Sequence, residues 1–311
     1  MDDLQTKKHD DSIQKLIQES TRKPKVWPNA VLFFLTLYSA TFSYVLFTVP
    51  VSNQESLVAT IITILFSFEL LSKGLGFSLT LMAILLAHEM GHYVTAQKYG
   101  VDQSLPWFIP FPGTIFGTMG AVIFLRSQPK TKKALLNVAV MGPYAGLIVA
   151  IPASAWGLYH SAPVEPTMLT DGESLWFGSS LLFGFLERTF SANGSDSILH
   201  PVALAGWVGL FITSLNLIPA GQLDGGHIAY ALLGKKHKRL SQAVCLTLLV
   251  AGLSIGGNGG AVWIVWSILL FYMGFNHPPV QDEQQKLAGE QIFHGVMSMI
   301  IFVITFTPVP L

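Results

Sequence analysis

The sequence predicts an all-α polytopic membrane protein with about six to seven transmembrane helices. Three observations carry that prediction. Hydrophobic residues make up 51% of the chain and charged residues only 12%, where an ordinary soluble domain carries roughly 25% charge. Mean hydropathy is +0.51. Several runs are free of charge and long enough to cross a hydrocarbon core of about 30 Å. This composition excludes a disordered chain and a soluble two-domain enzyme of 311 residues. Eighteen basic and eighteen acidic residues cancel, so no overall field attracts nucleic acid, and none is expected as a partner. The single cysteine, Cys245, excludes an internal disulfide and a thiolate zinc cluster.

Residues 1–28 mix Lys7, Lys8, Lys15, Arg22, Lys23 and Lys25 with acids such as Asp2, Asp10 and Glu19. That pattern fits neither a signal peptide nor a transit peptide, and reads as a short cytosolic tail. Asn29 to Val49 is the first span. Ser56 to Phe68 lies between Glu55 and Glu69 and is too short to count; runs of about 10–14 residues are more often re-entrant or interfacial. Residues 29–74 therefore hold one span and a short segment. Leu75 begins a stronger helix that continues through His88, Glu89 and His92 toward Lys98. Ala134 to Ala155 reads as a span kinked by Pro143 and Pro152. Pro201 to Ala220 is another span. Ser241 to Gln281 carries no formal charge, and Gly256 to Gly260 divides it into two short spans joined by a turn. Gln291 to Pro308 is the last.

Basic residues set the topology. Arg126, Lys130, Lys132 and Lys133 cluster in one loop, and Lys235, Lys236, Lys238 and Arg239 in another. Positive-inside logic places the N-terminus and both loops in the cytosol, and the acidic stretch Ser161 to Ile198 outside. That outer stretch is too short for an inserted domain, which needs about 50 residues or more.

The sharpest motif is His88-Glu89-Met90-Gly91-His92. On a helix, residues i and i+4 share a face, so both imidazoles can address one metal ion. Glu89 then reaches the open fourth position as a general base. The competing reading is a pair of hydrogen-bonded core histidines beside a snorkelling glutamate. Burying such groups in an apolar helix is costly unless they serve a site, which weighs against it.

A catalytic zinc usually has three protein ligands. His9, His160, His200, His237 and His277 fall in loops, tails or span edges, and His294 sits on the last span as a packing residue. Asp224 follows a long uncharged stretch, in Leu223-Asp224-Gly225-Gly226-His227. By itself it would read as the cap of a helix beginning near Gly226; beside the histidine pair it reads as the third ligand. Under the topology above, the helix from Leu75 and the span from Pro201 both run inward, bringing His88 and Asp224 toward one leaflet. His227 is placed to touch substrate or solvent, or else is a first-turn residue without a ligand role, the reading preferred here.

The metal motif, followed much later by Asn216-Leu217-Ile218-Pro219-Ala220-Gly221-Gln222-Leu223-Asp224-Gly225-Gly226, resembles the site-2 protease family of intramembrane zinc metalloproteases, peptidase family M50. Gly91 matches that family's glycine before the second histidine. The resemblance covers Leu75 to Leu233 and implies that residues 75–233 form a three-span catalytic core, with residues 234–311 as C-terminal transmembrane helices. It implies one zinc ion held by His88, His92 and Asp224, with Glu89 activating water. Asn216 is expected to hold the substrate or the oxyanion by hydrogen bonding, or else to cap an interrupted helix.

Leu105 to Leu125 is apolar but rich in proline and glycine, so it is no regular spanning helix. It resembles the family's membrane-inserted hairpin. Strand addition at its Gly117 to Leu125 edge would then pair with an unwound substrate, with Gly117, Thr118 and Gly120 as substrate contacts. The alternative is an interfacial loop anchored by Trp107 and Phe108. Met141 to Gly146 reads as small-residue packing, not chemistry.

The resemblance further implies regulated intramembrane proteolysis of a single-span membrane protein, such as a membrane-tethered transcription factor or an anti-sigma factor. The expected location is a bacterial or archaeal plasma membrane, with the site toward the cytosol. A polytopic metal transporter or other metal-binding membrane protein is the alternative. Transporters typically carry internal repeats, and neither motif has a second copy.

Overall fold

In the computed structural model, residues 26–48, 56–163, 177–191 and 197–310 are described. Residues 1–25 of the expected cytosolic tail, and residues 164–176 and 192–196 of the acidic outer stretch, lie outside them. Helix α1 spans Trp27–Thr48, α2 Leu57–Phe66 and α3 Phe68–Lys98. Strands β1 (Trp107–Pro110) and β2 (Thr118–Val122) follow, then α4 (Lys132–Tyr159). Beyond them come β3 (Ala162–Pro163), α5 (Leu181–Phe190) and β4 (Ser197–Ile198), then α6 (Pro201–Asn216) and α7 (Asp224–Leu233). The chain closes with α8 (His237–Ile255), α9 (Gly257–Met273) and α10 (Gly289–Thr305). It is an all-α polytopic membrane protein. Among the described residues, four helical stretches are long and apolar enough to cross a membrane: α1, α3, α4, and the 32 residues Asp224–Ile255. Helices α6, α9 and α10 are apolar but shorter.

The short apolar segment folds as α2, ten residues long. Ser67 separates it from α3: its backbone is extended, and its side chain accepts from the Leu70 amide. As a result α3 begins at Phe68, seven residues before the start expected at Leu75, and runs for 31 residues. Pro143 and Pro152 both lie inside one uninterrupted helix α4. The outer stretch contains a helix, α5, whose Ser180 cap accepts from the Phe183 amide.

Helices α3, α4 and α6 pack around one another, with α1 against α3. Small residues permit the close approach. A Cβ on Gly157 would lie 2.2 Å from the Ala203 backbone nitrogen, and one on Gly206 would lie 2.2 Å from Ser154 Oγ. The core between these helices includes Phe77, Leu81, Leu85, Leu147, Trp207 and Leu210. The outward faces are apolar too: Phe34, Ile148, Leu253 and Phe271 are all exposed. Exposed apolar surface on this scale suits lipid, not water.

Helix α6 has 16 residues and so rises only about 24 Å, short of a hydrocarbon core of about 30 Å. The irregular turn after it stays at depth, where backbone polar groups need internal partners. They have them: Leu217 N–H donates to Thr213 O, Ile218 N–H to Leu215 O, and Gly221 N–H to Ser241 Oγ.

The proline- and glycine-rich segment is an antiparallel hairpin. Trp107 pairs with Val122 and Phe108 with Ala121, and a register shift precedes the pairing of Pro110 with Thr118. The hairpin is tied to α1: Asn29 Nδ2 donates to Pro106 O at 2.8 Å, and Ser39 Oγ donates to Gly117 O at 2.6 Å. Phe33 meets Phe108 edge to face at 5.1 Å. These bonds bind the segment to α1, and Phe108, one of the two expected interfacial anchors, is buried against Phe33 instead.

Candidate metal centre

His88, Glu89 and His92 lie toward the C-terminal end of α3, and the first two are buried. The i,i+4 spacing stacks the imidazoles on one face, with ring centroids 4.8 Å apart and Nε2 atoms 3.1 Å apart. Asp224 comes from the first turn of α7. Its Oδ2 lies 3.3 Å from His88 Nε2 and 3.2 Å from His92 Nε2. The alternative role of Asp224 as a helix cap is not what its carboxylate does. Leu223 occupies the cap position, no side chain caps α7, and the carboxylate faces the two histidines.

The donor set fits a zinc ion. His92 Nδ1 lies 2.8 Å from Val138 O; a carbonyl only accepts, so Nδ1 carries the hydrogen and Nε2 presents a lone pair. The three donor atoms are thus separated by 3.1, 3.2 and 3.3 Å. Donors arranged tetrahedrally about zinc, with bonds of about 2.0–2.1 Å, stand roughly 3.3 Å apart. Among the described residues, His88, His92 and Asp224 are the one group of this kind that converges. The other histidines within the described residues stand outside it.

Glycines let the elements come this close. A Cβ on Gly91 would lie 2.2 Å from Met141 O, so α3 and α4 touch backbone to backbone. A Cβ on Gly225 would lie 2.0 Å from Leu217 O, and one on Gly226 would lie 2.5 Å from Gly221 O. The glycine pair therefore serves close approach at the start of α7, where both residues are helical. Sequence reasoning assigned Met141 to Gly146 to packing alone. The structure gives that stretch a direct role: a Cβ on Gly142 would lie 2.0 Å from His92 Nε2, and one on Gly146 would lie 3.4 Å from His88 Nδ1. These two glycines seat the imidazoles. Glycine at i and i+4 on a helix opposite a histidine pair is the signal that would have revealed it.

Asn216, the last residue of α6, brings its Nδ2 within 3.3 Å of His88 Nε2. Its amide thus faces the donor set and not its own helix end. A cavity of about 220 Å³ opens beside it, lined by His88, Glu89, His92, Asn216 and Asp224. Gln222, which carried no site role in the sequence reading, lines it as well, as does His227.

The hairpin reaches this cavity through the later half of the expected Gly117 to Leu125 edge, not through the three residues singled out on it. Ala121, Val122, Ile123 and Leu125 line it; Gly117, Thr118 and Gly120 do not. Gly117 backs onto α1, where a Cβ would lie 2.5 Å from Ala40 Cα, and its φ of +67° is left-handed. Thr118 spends its hydroxyl inside the hairpin, donating to Ile109 O and accepting from the Gly120 amide, each at 2.9 Å.

"Probable zinc metalloprotease EGY2, chloroplastic" of Arabidopsis thaliana is 27% identical over 270 residues, covering 85% of this chain and 47% of the relative. Its counterpart in Oryza sativa subsp. indica is 28% identical over 278 residues, covering 88% and 50%. "Probable zinc metalloprotease EGY1, chloroplastic" of Arabidopsis thaliana is 28% identical over 249 residues, covering 78% and 44%. The chain thus spans about half the length of the curated relatives it matches. These relatives are named chloroplastic, so the bacterial or archaeal plasma membrane expected from the sequence finds no support. No solved structure matches the chain. The pattern of peptidase family M50 matches residues 76–255, a stretch that runs from α3 through the metal donors to the end of α8, and the chain belongs to that family.

Proposed function

We propose that this chain is an intramembrane zinc endopeptidase, hydrolysing a peptide bond in or near the transmembrane segment of a membrane-anchored protein. The observation that carries the proposal is the convergence of His88, His92 and Asp224 beside buried Glu89 in one cavity. The metal ligands are these three residues, and Glu89 is the general base. Zinc held by these three residues would supply a water of lowered pKa, near 7, and polarise the scissile carbonyl. Glu89 would take a proton from the attacking water and deliver it to the leaving amine. Asn216, with its amide directed at the donor set, offers a hydrogen bond to the oxyanion.

A substrate helix hides its carbonyls in intrahelical bonds and must unwind to react. The hairpin residues Ala121 to Ile123 line the cavity, and among the described residues β2 has a strand neighbour on one side only, which leaves its other edge for strand addition. Single-span regulators, such as membrane-tethered transcription factors or anti-sigma factors, are the proposed substrates, cut in regulated intramembrane proteolysis. Residues 75–233 form the proposed catalytic core, with residues 234–311 as flanking transmembrane helices. The basic loops around Lys132 and Lys236 support a site toward the cytosolic leaflet.

The test begins with metal content after dialysis, comparing the unmodified protein with His92→Ala and Asp224→Ala. About one zinc per chain is expected, lost in both variants. Cleavage of a single-span reporter is expected to stop in Glu89→Gln with zinc retained. Folded protein that holds no zinc, or undiminished cleavage by Glu89→Gln, overturns the proposal.

A further inference from the structure

A second histidine cluster stands beside the metal site, and a backbone carbonyl sets its hydrogen-bond directions when His277 is neutral. His277 Nδ1 lies 2.6 Å from Pro278 O. The carbonyl accepts, so His277 Nδ1 carries a hydrogen, and the neutral ring has its lone pair on Nε2. Burial lowers the His277 pKa and so favours that neutral form. His227 Nδ1 lies 2.7 Å from His277 Nε2 and therefore donates to it. His227 is left with an acceptor at Nε2, on a ring that lines the cavity.

The surroundings of His277 hold this arrangement. Its ring stacks on Tyr230 at 4.1 Å and 8°, with His237 edge-on at 5.9 Å. Tyr230 in turn donates to Glu283 Oε1 at 2.9 Å. Val280 packs with Leu135 and Tyr230, docking the segment between α9 and α10 onto α7. His227 lies one turn after Asp224 on α7, on the same face, yet it is not part of the convergent donor set.

A peptide lying extended in this cavity has two hydrogen-bonding edges. One can pair with β2, but the N–H groups of the other also need acceptors, because unpaired backbone groups in an apolar setting are costly. We propose that His227 is a substrate-binding residue that accepts a hydrogen bond from a backbone N–H of the peptide being cleaved, and that His277 is a positioning residue that sets the tautomer allowing it. This inference rests on the protease reading of the site.

The test uses full-length, zinc-loaded protein carrying Glu89→Gln, and a fluorescein-labelled peptide of alternating valine and glycine. Each peptide N–H is replaced in turn by an ester oxygen, and affinity is read by fluorescence anisotropy. One ester position is expected to weaken binding about tenfold, and that penalty is expected to vanish in His227→Ala. Nitrogen-15 spectra of labelled histidine are expected to show an unprotonated Nε2 on His227. In His277→Phe, which keeps the ring on Tyr230, the two tautomers are expected to mix. Ester penalties that ignore His227 overturn this proposal alone, as does loss of zinc in His227→Ala, which would make it a ligand. Failure of the zinc-loaded protein to bind any such peptide overturns the protease reading and this proposal with it.

Discussion

Gly142 is the most exacting point at which to perturb the metal centre. Replacing it with alanine puts a Cβ 2.0 Å from His92 Nε2, 2.3 Å from Cε1 and 2.5 Å from Cδ2. Nonbonded carbon contacts settle at about 3.5–4.0 Å, so the imidazole must move by roughly 1.5 Å. Metal–ligand bonds tolerate only about 0.2 Å. Separating the helices instead would break the backbone-to-backbone packing of α3 on α4 at Gly91 and Met141. Removing a partner behind a metal ligand typically costs 10–100-fold in affinity; here the ligand itself is displaced, so a loss of at least about 100-fold is expected. Helix propensity works the other way, since alanine favours a helix interior over glycine by about 1 kcal/mol. Misfolding is therefore not the expected route to zinc loss. The assay is competition for zinc against a chelator of known affinity, with Gly76→Ala as control, whose Cβ would meet Pro201 Cβ at an ordinary 3.5 Å. If Gly142→Ala binds zinc within about threefold of the unmodified protein, the claim that this glycine seats His92 is refuted.

Four further outcomes are expected. Gly225→Ala forces a Cβ to 2.0 Å from Leu217 O; it should lower thermal stability by about 1–3 kcal/mol and release zinc, measured by thermal denaturation in detergent with parallel metal analysis. Gly117→Ala, strained at φ +67° and 2.5 Å from Ala40 Cα, should displace the hairpin, so that reporter cleavage falls while zinc content stays at the unmodified level. Trp207→Phe removes the 2.7 Å hydrogen bond from Nε1 to Gly178 O and should cost about 1–3 kcal/mol, seen as a lower melting temperature at unchanged zinc content. Stripping the metal with a chelator should lower the melting temperature, because a ligand at a hundredfold over its Kd stabilises by about 2.7 kcal/mol. Asp224→Ala should show no such shift.

The helices that carry the chemistry were legible because their signals are local. The i,i+4 spacing of His88 and His92 predicts a shared face, and the structure places both rings on it. The proline and glycine content of Leu105 to Leu125 marks a segment that is not a helix, and it folds as a hairpin. The start of α3 was misplaced for an equally local reason. Ser67, which separates α2 from α3 by an extended backbone, lies in an apolar stretch where one serine gives no strong break signal. Gly117, Thr118 and Gly120 were expected at the cavity because they head the glycine-rich half of the hairpin. The hairpin's attachment to α1 through Ser39 turns them away and presents Ala121 to Ile123 instead.

The sequence by itself determined the membrane class, the histidine pair with its glutamate, and, through family resemblance, the pairing of that motif with Asp224. Composition, helical periodicity and motif spacing are properties of neighbouring residues, so they survive without a fold. Tertiary structure alone decided that Gly142 and Gly146 sit under the imidazoles, and that Val138 O holds the hydrogen on His92 Nδ1. It also decided that His277 reaches back across the chain to His227. Each of these is a contact between residues distant in sequence, and its geometry depends on how closely the helices pack, which no single segment encodes.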